Sequence, residues 1–450
     1  MSLQLPVLLL DALEGVKGFD RVAFEKIHAS GEQITSVRLN PLKVSIVNCQ
    51  LPIAGSIPWA KHAFYLMERP SFTFDPLFHA GCYYVQEASS MFLEQAITQT
   101  VDLSKPLKVL DLCASPGGKS THIQSLLSKD SWLVSNEVIR SRANVLKDNM
   151  IKWGCENVIV TNNDPANFSQ LENYFDLIVV DAPCSGSGLF RRDPEAIGEW
   201  SENNVQLCSQ RQQRILADCW PALKKGGVLI YSTCSYSEEE DEQIVKWMKD
   251  SFDATDLPLT IDEEWGIMKS SGGYRFWPDK VKGEGFFIAC FQKNDGDEDM
   301  ETWYKKKPGS LTKKEKEVVE KWVDPSGKTF IKYADTVYAW PENLLHDGSF
   351  LLEKLRVIYS GVVAGELVRD KLIPGHALAM STIMAAGINR TELNTEQAIR
   401  YLQRKDMFIE ANQKGWQLVM YEQQPLGWIN ALPNRINNYY PKELRILKDS

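Results

Sequence analysis

The sequence predicts an α/β fold: a parallel sheet with helices on both faces, between a small N-terminal α+β module and a β-rich C-terminal region. Three observations predict it. Apolar runs of strand length alternate with helical stretches from residue 107 to residue 293. A Gly-rich turn joins the first such run to the helical stretch after it. A polar segment, KNDGDEDMETWYKKKPGS at 293–310, then sets the last third of the chain apart. The expected units are residues 1–90, 91–293, a linker at 294–310, and 311–450.

The elements follow in order. MSLQLPVLLLDALEG at the start reads as a first helix. No basic run precedes its apolar stretch and no cleavage site follows, so it is not read as a signal peptide. LKVLDLC (107–113) is the first strand of the sheet, and a helix follows Gly118. WLVSNEV (132–138), NVIVTNND (157–164) and FDLIVVDAP (175–183) are further strands, with a helix at 140–154 between the first two. A long helical stretch, 204–227, ends at the Gly226-Gly227 pair as a stop signal. GGVLIYSTC (226–234) and EGFFIACFQK (284–293) complete the set, and the acidic SEEED at 237–241 reads as a helix start. Ligands of such sheets bind beyond the carboxyl ends of the strands.

Composition narrows the class. The 450 residues are 44% hydrophobic and 24% charged, which is globular. At roughly 100–200 residues per domain, two or three domains are expected. No apolar run nears the ~18 residues that span a bilayer, so no membrane partner is expected. Nine cysteines without a Cys-x-x-Cys pair argue against a disulfide framework or a zinc site, and predict reduced thiols in the cytoplasm. A net charge of −9 excludes a simple polycation that coats nucleic acid. Residues 301–450, however, carry 22 basic and 18 acidic side chains, which leaves room for local basic grooves.

VLDLCASPGGKSTHI (109–123) is a strand, turn and helix in which Gly117 and Gly118 let backbone approach a ligand. It is not a P-loop: Gly118-Lys119-Ser120 fits the end of that pattern, but Cys113 stands where its first glycine belongs. Glu137, about 26 residues beyond Asp111, is placed to accept from two ribose hydroxyls. Asp164 ends the third strand, where an adenine amino group would lie. Acidic groups at strand ends favour a ligand without phosphates. S-adenosylmethionine, a cationic sulfonium, fits.

Two further strand ends carry thiols. VVDAPCSGSG (179–188) places Asp181 and Cys184 at one, and YSTCSYS (231–237) places Cys234 at the next. Covalent methylation of cytosine carbon 5 needs such a set. A thiolate adds at carbon 6, an acid near nitrogen 3 supports the developing charge, and a base takes the carbon-5 proton so that the thiolate can leave. Cys234, Asp181 and Cys184 map onto nucleophile, acid and base, with Lys119 able to lower a thiol pKa or steady an anion. Cys49, Cys155, Cys208, Cys219 and Cys290 are read as packed thiols. Cys113 contributes backbone only.

DLCASPGGKS, DAPCSGSG and YSTCSYS, in this order, resemble the NOL1/NOP2/Sun family of RNA cytosine-carbon-5 methyltransferases. QRQQRIL (210–216), SVRLN (36–40) and YVQEASSM (84–91) are similar to further family segments. The resemblance spans about residues 30–293. It implies a Rossmann-like core, Cys234 as nucleophile, and Cys184 as the residue needed for product release. It also implies S-adenosylmethionine contacts from Cys113, Ala114, Ser115, Pro116, Gly117, Gly118, Lys119, Glu137, Asp164 and Asp181.

Regions that would reach RNA come last. Arg191 and Arg192 follow the Cys184 loop and are candidates for the phosphates flanking the target base. GGYRFWPDKVKGEGFF (272–287), with Arg275, mixes basic and aromatic residues as single-strand binders do. Beyond the linker, residues 415–441 read as a strand, a turn, PLGW and a basic-aromatic tail. This resembles the PUA-like module of the bacterial small-subunit ribosomal RNA members, the F type. Arg435, Tyr439 and Tyr440 are its RNA-contact candidates, with core packing an equal alternative for the tyrosines. The expected partner is ribosomal RNA or the small ribosomal subunit, with no metal. A transfer RNA substrate, or an idle RNA-binding assembly factor, are the alternatives; both cysteines and Asp181 speak against the latter.

Overall fold

The computed structural model describes residues 4–45, 49–296, 302–305, 308–406 and 414–448. Parts of the expected linker, at 297–301 and 306–307, lie outside the described residues. The N-terminal unit has helices Val7–Ala12 and Arg21–Ala29 and an antiparallel sheet ordered Ile53–Ser56, Ala63–Leu66, Ser36–Leu39, Tyr83–Val85. It is α+β, as its sequence predicts.

The central sheet is built on five parallel strands: β1 (Lys108–Asp111), β2 (Trp132–Asn136), β3 (Val158–Thr161), β4 (Phe175–Asp181) and β5 (Leu223–Thr233). β2 and β3 are buried at every position. Covered on both faces, such strands read as continuous apolar runs rather than alternating ones. Four strands lie at or beyond the β5 edge: β6 (Ala254–Asp256), β7 (Met268–Lys269), β8 (Tyr274–Phe276) and β9 (Phe286–Lys293). A tenth, β10 (Val357–Ser360), comes from the C-terminal region. The order is β7-β8-β9-β5-β4-β1-β2-β3-β10, with β6 paired to β9. Chain order reverses between β1 and β4, the switch point where ligands of these sheets bind.

Helices α1 (Gly118–Leu126), α2 (Arg140–Trp153), α3 (Glu202–Cys219) and α4 (Glu242–Ser251) flank the sheet. Two elements end differently from the sequence reading. α3 stops at Cys219, ahead of Pro221, which has no N–H to continue a helix. The segment from Leu223 through the glycine pair belongs instead to β5, which is 11 residues long. The acidic SEEED does not begin a helix: α4 starts one residue later, and Glu240 and Asp241 are fully buried.

The C-terminal region holds two four-stranded sheets, Lys328–Tyr333 to Lys371–Pro374 and Arg390–Glu392 to Arg435–Asn438. It does not stand apart. β10 pairs antiparallel with β3. A shared core also joins Val37, Leu39 and Tyr83 of the N-terminal sheet to Val419 and Ile429 of the last one and to Tyr401 of the helix Thr395–Leu402.

Candidate active site

The cofactor loop follows β1. Gly117 has φ +115°, a conformation open to glycine and strained for other residues, and it caps α1. Asp111, wholly buried under the loop, is pushed up to about 7 by burial; one of its oxygens accepts from Ser120 Oγ at 2.6 Å. Arg38 of the N-terminal sheet, 1% exposed, donates to Thr121 Oγ1 (2.6 Å) and to Gly118 O (3.3 Å). The N-terminal unit thus braces the helix on which the loop rests.

β4 and β5 run side by side with Asp181 opposite Ser232. Ser232 Oγ donates to Asp181 Oδ1 at 2.9 Å, and Ala182 N donates to Ser232 O at 2.9 Å. Cys184 and Cys234 lie three and two residues past this rung, so they leave the sheet at nearly the same height. Their sulfurs are 2.9 Å apart, and both thiols are free. Backbone holds the two loops together: Gly188 N donates to Cys234 O (2.9 Å) and Gly285 N to Gly188 O (3.0 Å). A Cβ on Gly188 would lie 2.6 Å from Gly285 O and 2.8 Å from Cys234 O, so only glycine allows this approach. The Cys184 thiol is pushed up first by its hydrogen bond to Cys234, then by burial and by the Cys234 and Glu240 charges.

Lys119 Nζ meets Asp181 Oδ2 at 2.7 Å. Burial works to lower this lysine, but Asp181, then Cys234 and Asp111, outweigh it and raise it. A cationic ammonium thus lines the same cleft as the Cys234 thiol.

Lys119, Asp181 and Cys234 share a cleft of about 420 Å³, whose lining does not include Cys184. Cys113, Ala114, Ser115, Pro116, Gly118, Lys119, Asp181 and Cys234 all line it. Glu137 and Asp164 do not; they lie further along the row of strand ends. Glu137, 4% exposed, accepts from Ile139 N at 2.9 Å, with Arg142 Nε at 3.6 Å. Asp164 is exposed and caps the turn Pro165–Gln170. Carboxylates at the ends of β2, β3 and β4, with no complete phosphate cradle, fit a cationic nucleoside such as S-adenosylmethionine.

The arginines divide. Arg192 is exposed and lines the rim of the cleft. Arg191 is 6% exposed, donates to Glu32 O (2.9 Å) and Gly283 O (3.2 Å), and faces Glu284 at 3.6 Å; it is not free to hold a phosphate. Arg275 is likewise corrected: 2% exposed, it pairs with Asp241 at 3.2 Å and with Glu242, and donates to Tyr236 O at 2.9 Å. The aromatic residues beside it are core: Trp277 is wholly buried and stacks on Tyr236. Arg435 is exposed and lines a broad cleft of about 900 Å³ with Arg404, Lys442 and Tyr439; Tyr440 also borders it, but its ring is buried against Tyr401 and His376. Sequence reasoning missed Glu240. Its mark is an acid in an otherwise solvent-like run, six residues after the Thr-Cys cysteine.

Three family models match the chain in succession. They are the N-terminal domain of 16S rRNA methyltransferase RsmF at residues 5–88, 16S rRNA methyltransferase RsmB/F at 98–292, and the methyltransferase RsmF PUA domain at 388–446. The chain is similar to the ribosomal RNA small subunit methyltransferase F of Vibrio vulnificus, 31% identical over 91% of this chain and 90% of the relative. The protein of that name in Serratia proteamaculans is 29% identical over 98% of this chain and 96% of its own length. A solved methyltransferase homolog protein from Pyrococcus horikoshii is 29% identical with a TM-score of 0.52, covering 64% of this chain and 100% of that one.

Proposed function

Because the chain belongs to the 16S rRNA methyltransferase RsmB/F family, we propose that its cleft forms 5-methylcytosine by covalent addition of Cys234 to the target base, in small-subunit ribosomal RNA near the decoding region. The protein is an S-adenosylmethionine-dependent ribosomal RNA (cytosine-C5) methyltransferase. The observation that carries the thiol mechanism is the 2.9 Å approach of two free sulfurs at adjacent strand ends.

The cofactor, when bound, supplies a methyl group as an electrophile. Residues 113–119 would hold its amino-acid end, Glu137 the ribose and Asp164 the adenine. The chain's own groups do the rest. The Cys234 thiolate adds to carbon 6, and the Lys119 ammonium, held in place by Asp181, steadies the negative charge that develops on the ring. While Cys234 is a free thiolate, its hydrogen bond and charge keep Cys184 protonated. Once Cys234 is bonded to carbon that restraint is gone, so Cys184 can lose its proton to solvent. After carbon 5 has taken the methyl group, Cys184 takes the remaining carbon-5 proton; the electron pair re-forms the 5,6 double bond, the carbon–sulfur bond breaks and Cys234 leaves as thiolate. Arg192 at the rim, and Arg435 in the C-terminal cleft, are the arginines placed to meet RNA phosphates. A base in a duplex must be unstacked to enter. Among the described residues no helix is long and apolar enough to cross a membrane. The cytoplasmic site of action is inferred from the proposed ribosomal RNA substrate.

The test is bisulfite sequencing of ribosomal and transfer RNA from cells with and without the protein. A small-subunit cytosine should lose its methyl group without the protein, and regain it with wild type but not with Cys234→Ala. Loss confined to transfer RNA would contradict the assignment.

A further inference from the structure

Outside the reacting groups, one buried carboxylate touches both cysteine loops. Glu240 is wholly buried. Its Oε1 accepts from Ser185 N at 2.9 Å and from Gln212 Nε2 at 3.0 Å. Its Oε2 accepts from Ser185 Oγ at 2.5 Å and from Ser235 Oγ at 2.7 Å. Ser185 directly follows Cys184, and Ser235 directly follows Cys234. Gln212, from the middle of α3, also donates to Pro183 O at 3.1 Å, on the other side of Cys184. The two loops are tied by backbone at Ala182 and at Gly188, on either side of Cys184; beside the two cysteines themselves, Glu240 is the group that accepts from both loops.

We propose that Glu240 is a positioning residue for product release: it fastens the loop of Cys184 to the loop of Cys234, so that Cys184 reaches the base bonded to Cys234. The inference rests on the roles proposed above for the two cysteines. Four hydrogen bonds converge on one carboxylate, so desolvation is offset and the pattern of donors is satisfied. Removing the side chain leaves Ser185 N and Gln212 Nε2 without that acceptor in a buried site, and frees the Cys184 loop to shift. The first step needs only Cys234 and the cofactor cleft, and it survives a displaced Cys184. The release step does not. Glutamine at this position keeps the pattern: its oxygen accepts from Ser185 N and Gln212, and its amide donates to the two serine hydroxyl oxygens.

The experiment compares Glu240→Ala, Glu240→Gln and Ser235→Ala with wild type and Cys184→Ala, in the full chain. Turnover on ribosomal RNA, binding of S-adenosylmethionine, and the protein–RNA adduct on a denaturing gel are measured together. Glu240→Ala should lose roughly 10- to 100-fold in turnover, as expected for a misplaced reacting group. It should bind cofactor as wild type does and accumulate the adduct. Glu240→Gln should recover most of the turnover, and Ser235→Ala, which removes one donor and leaves no buried charge unpaired, should show a weaker version of the same adduct. Adduct from Cys184→Ala but none from Glu240→Ala or Ser235→Ala overturns the inference and leaves the cysteine roles standing. So does equal failure of the Ala and Gln variants, which would mean that charge acts rather than hydrogen-bond pattern. No adduct from Cys184→Ala overturns the cysteine roles themselves.

Discussion

Cys184 and Cys234 differ in what surrounds them, not in what they are. Cys184 is half-buried beside the Cys234 sulfur and near the Glu240 carboxylate, and its thiol is pushed up by the hydrogen bond to Cys234 and by burial. Cys234 shares its cleft with the Lys119 ammonium. Cys234→Ala should therefore cost turnover on the order of a thousandfold or more while S-adenosylmethionine binding persists, measured by methyl transfer and calorimetry. The arginines separate in the same way. Arg192→Ala should weaken RNA binding and reduce its salt dependence while leaving thermal stability near wild type. Arg275→Ala should do the reverse: it strands Asp241, which is 0% exposed, and should cost about 3–5 kcal/mol in denaturant unfolding. Equal effects of the two on RNA affinity would contradict the burial pattern. Residue type alone could not separate them. An arginine beside aromatic residues reads as a nucleic-acid contact unless its partner is known, and Asp241 lies 34 positions from Arg275 in the chain.

Among the elements, those that carry the chemistry are the ones the sequence makes plain. β1, β4 and β5 are apolar runs that stop at Asp111, Asp181 and Thr233, and the proposed site residues lie at or just after each stop. Strand identity comes from unbroken burial, and the ligand edge from the direction of parallel strands, both local properties. β10 is not local. VIYS at 357–360 reads as any short strand, and nothing in it names β3 as its neighbour. Its approach is fastened by Asn163, whose side chain accepts from Arg356 N at 3.0 Å and donates to Arg356 O at 3.3 Å, one residue before Asp164. Asn163→Ala should lower stability by about 1–3 kcal/mol and weaken S-adenosylmethionine binding more than RNA binding. Unchanged cofactor affinity would separate β10 from the cofactor site.

As a whole the molecule wraps one sheet with three others, and the outer units are bound into it. The N-terminal sheet braces α1 through Arg38, shares a core with the last sheet, and β10 closes the far edge. A chain ending at residue 310 should thus lose cooperative unfolding and cofactor binding along with RNA affinity. A truncated chain with wild-type cofactor affinity would show that the catalytic unit stands alone. What the full assembly secures is one cleft lined by Cys234, with the Cys184 sulfur 2.9 Å from the Cys234 sulfur. The most direct measurement is mass spectrometry of the adduct that Cys184→Ala forms with ribosomal RNA in the presence of S-adenosylmethionine. A methylated cytosine bonded to the peptide that holds Cys234 is the predicted result. No adduct, or one mapped to another cysteine, would contradict the account.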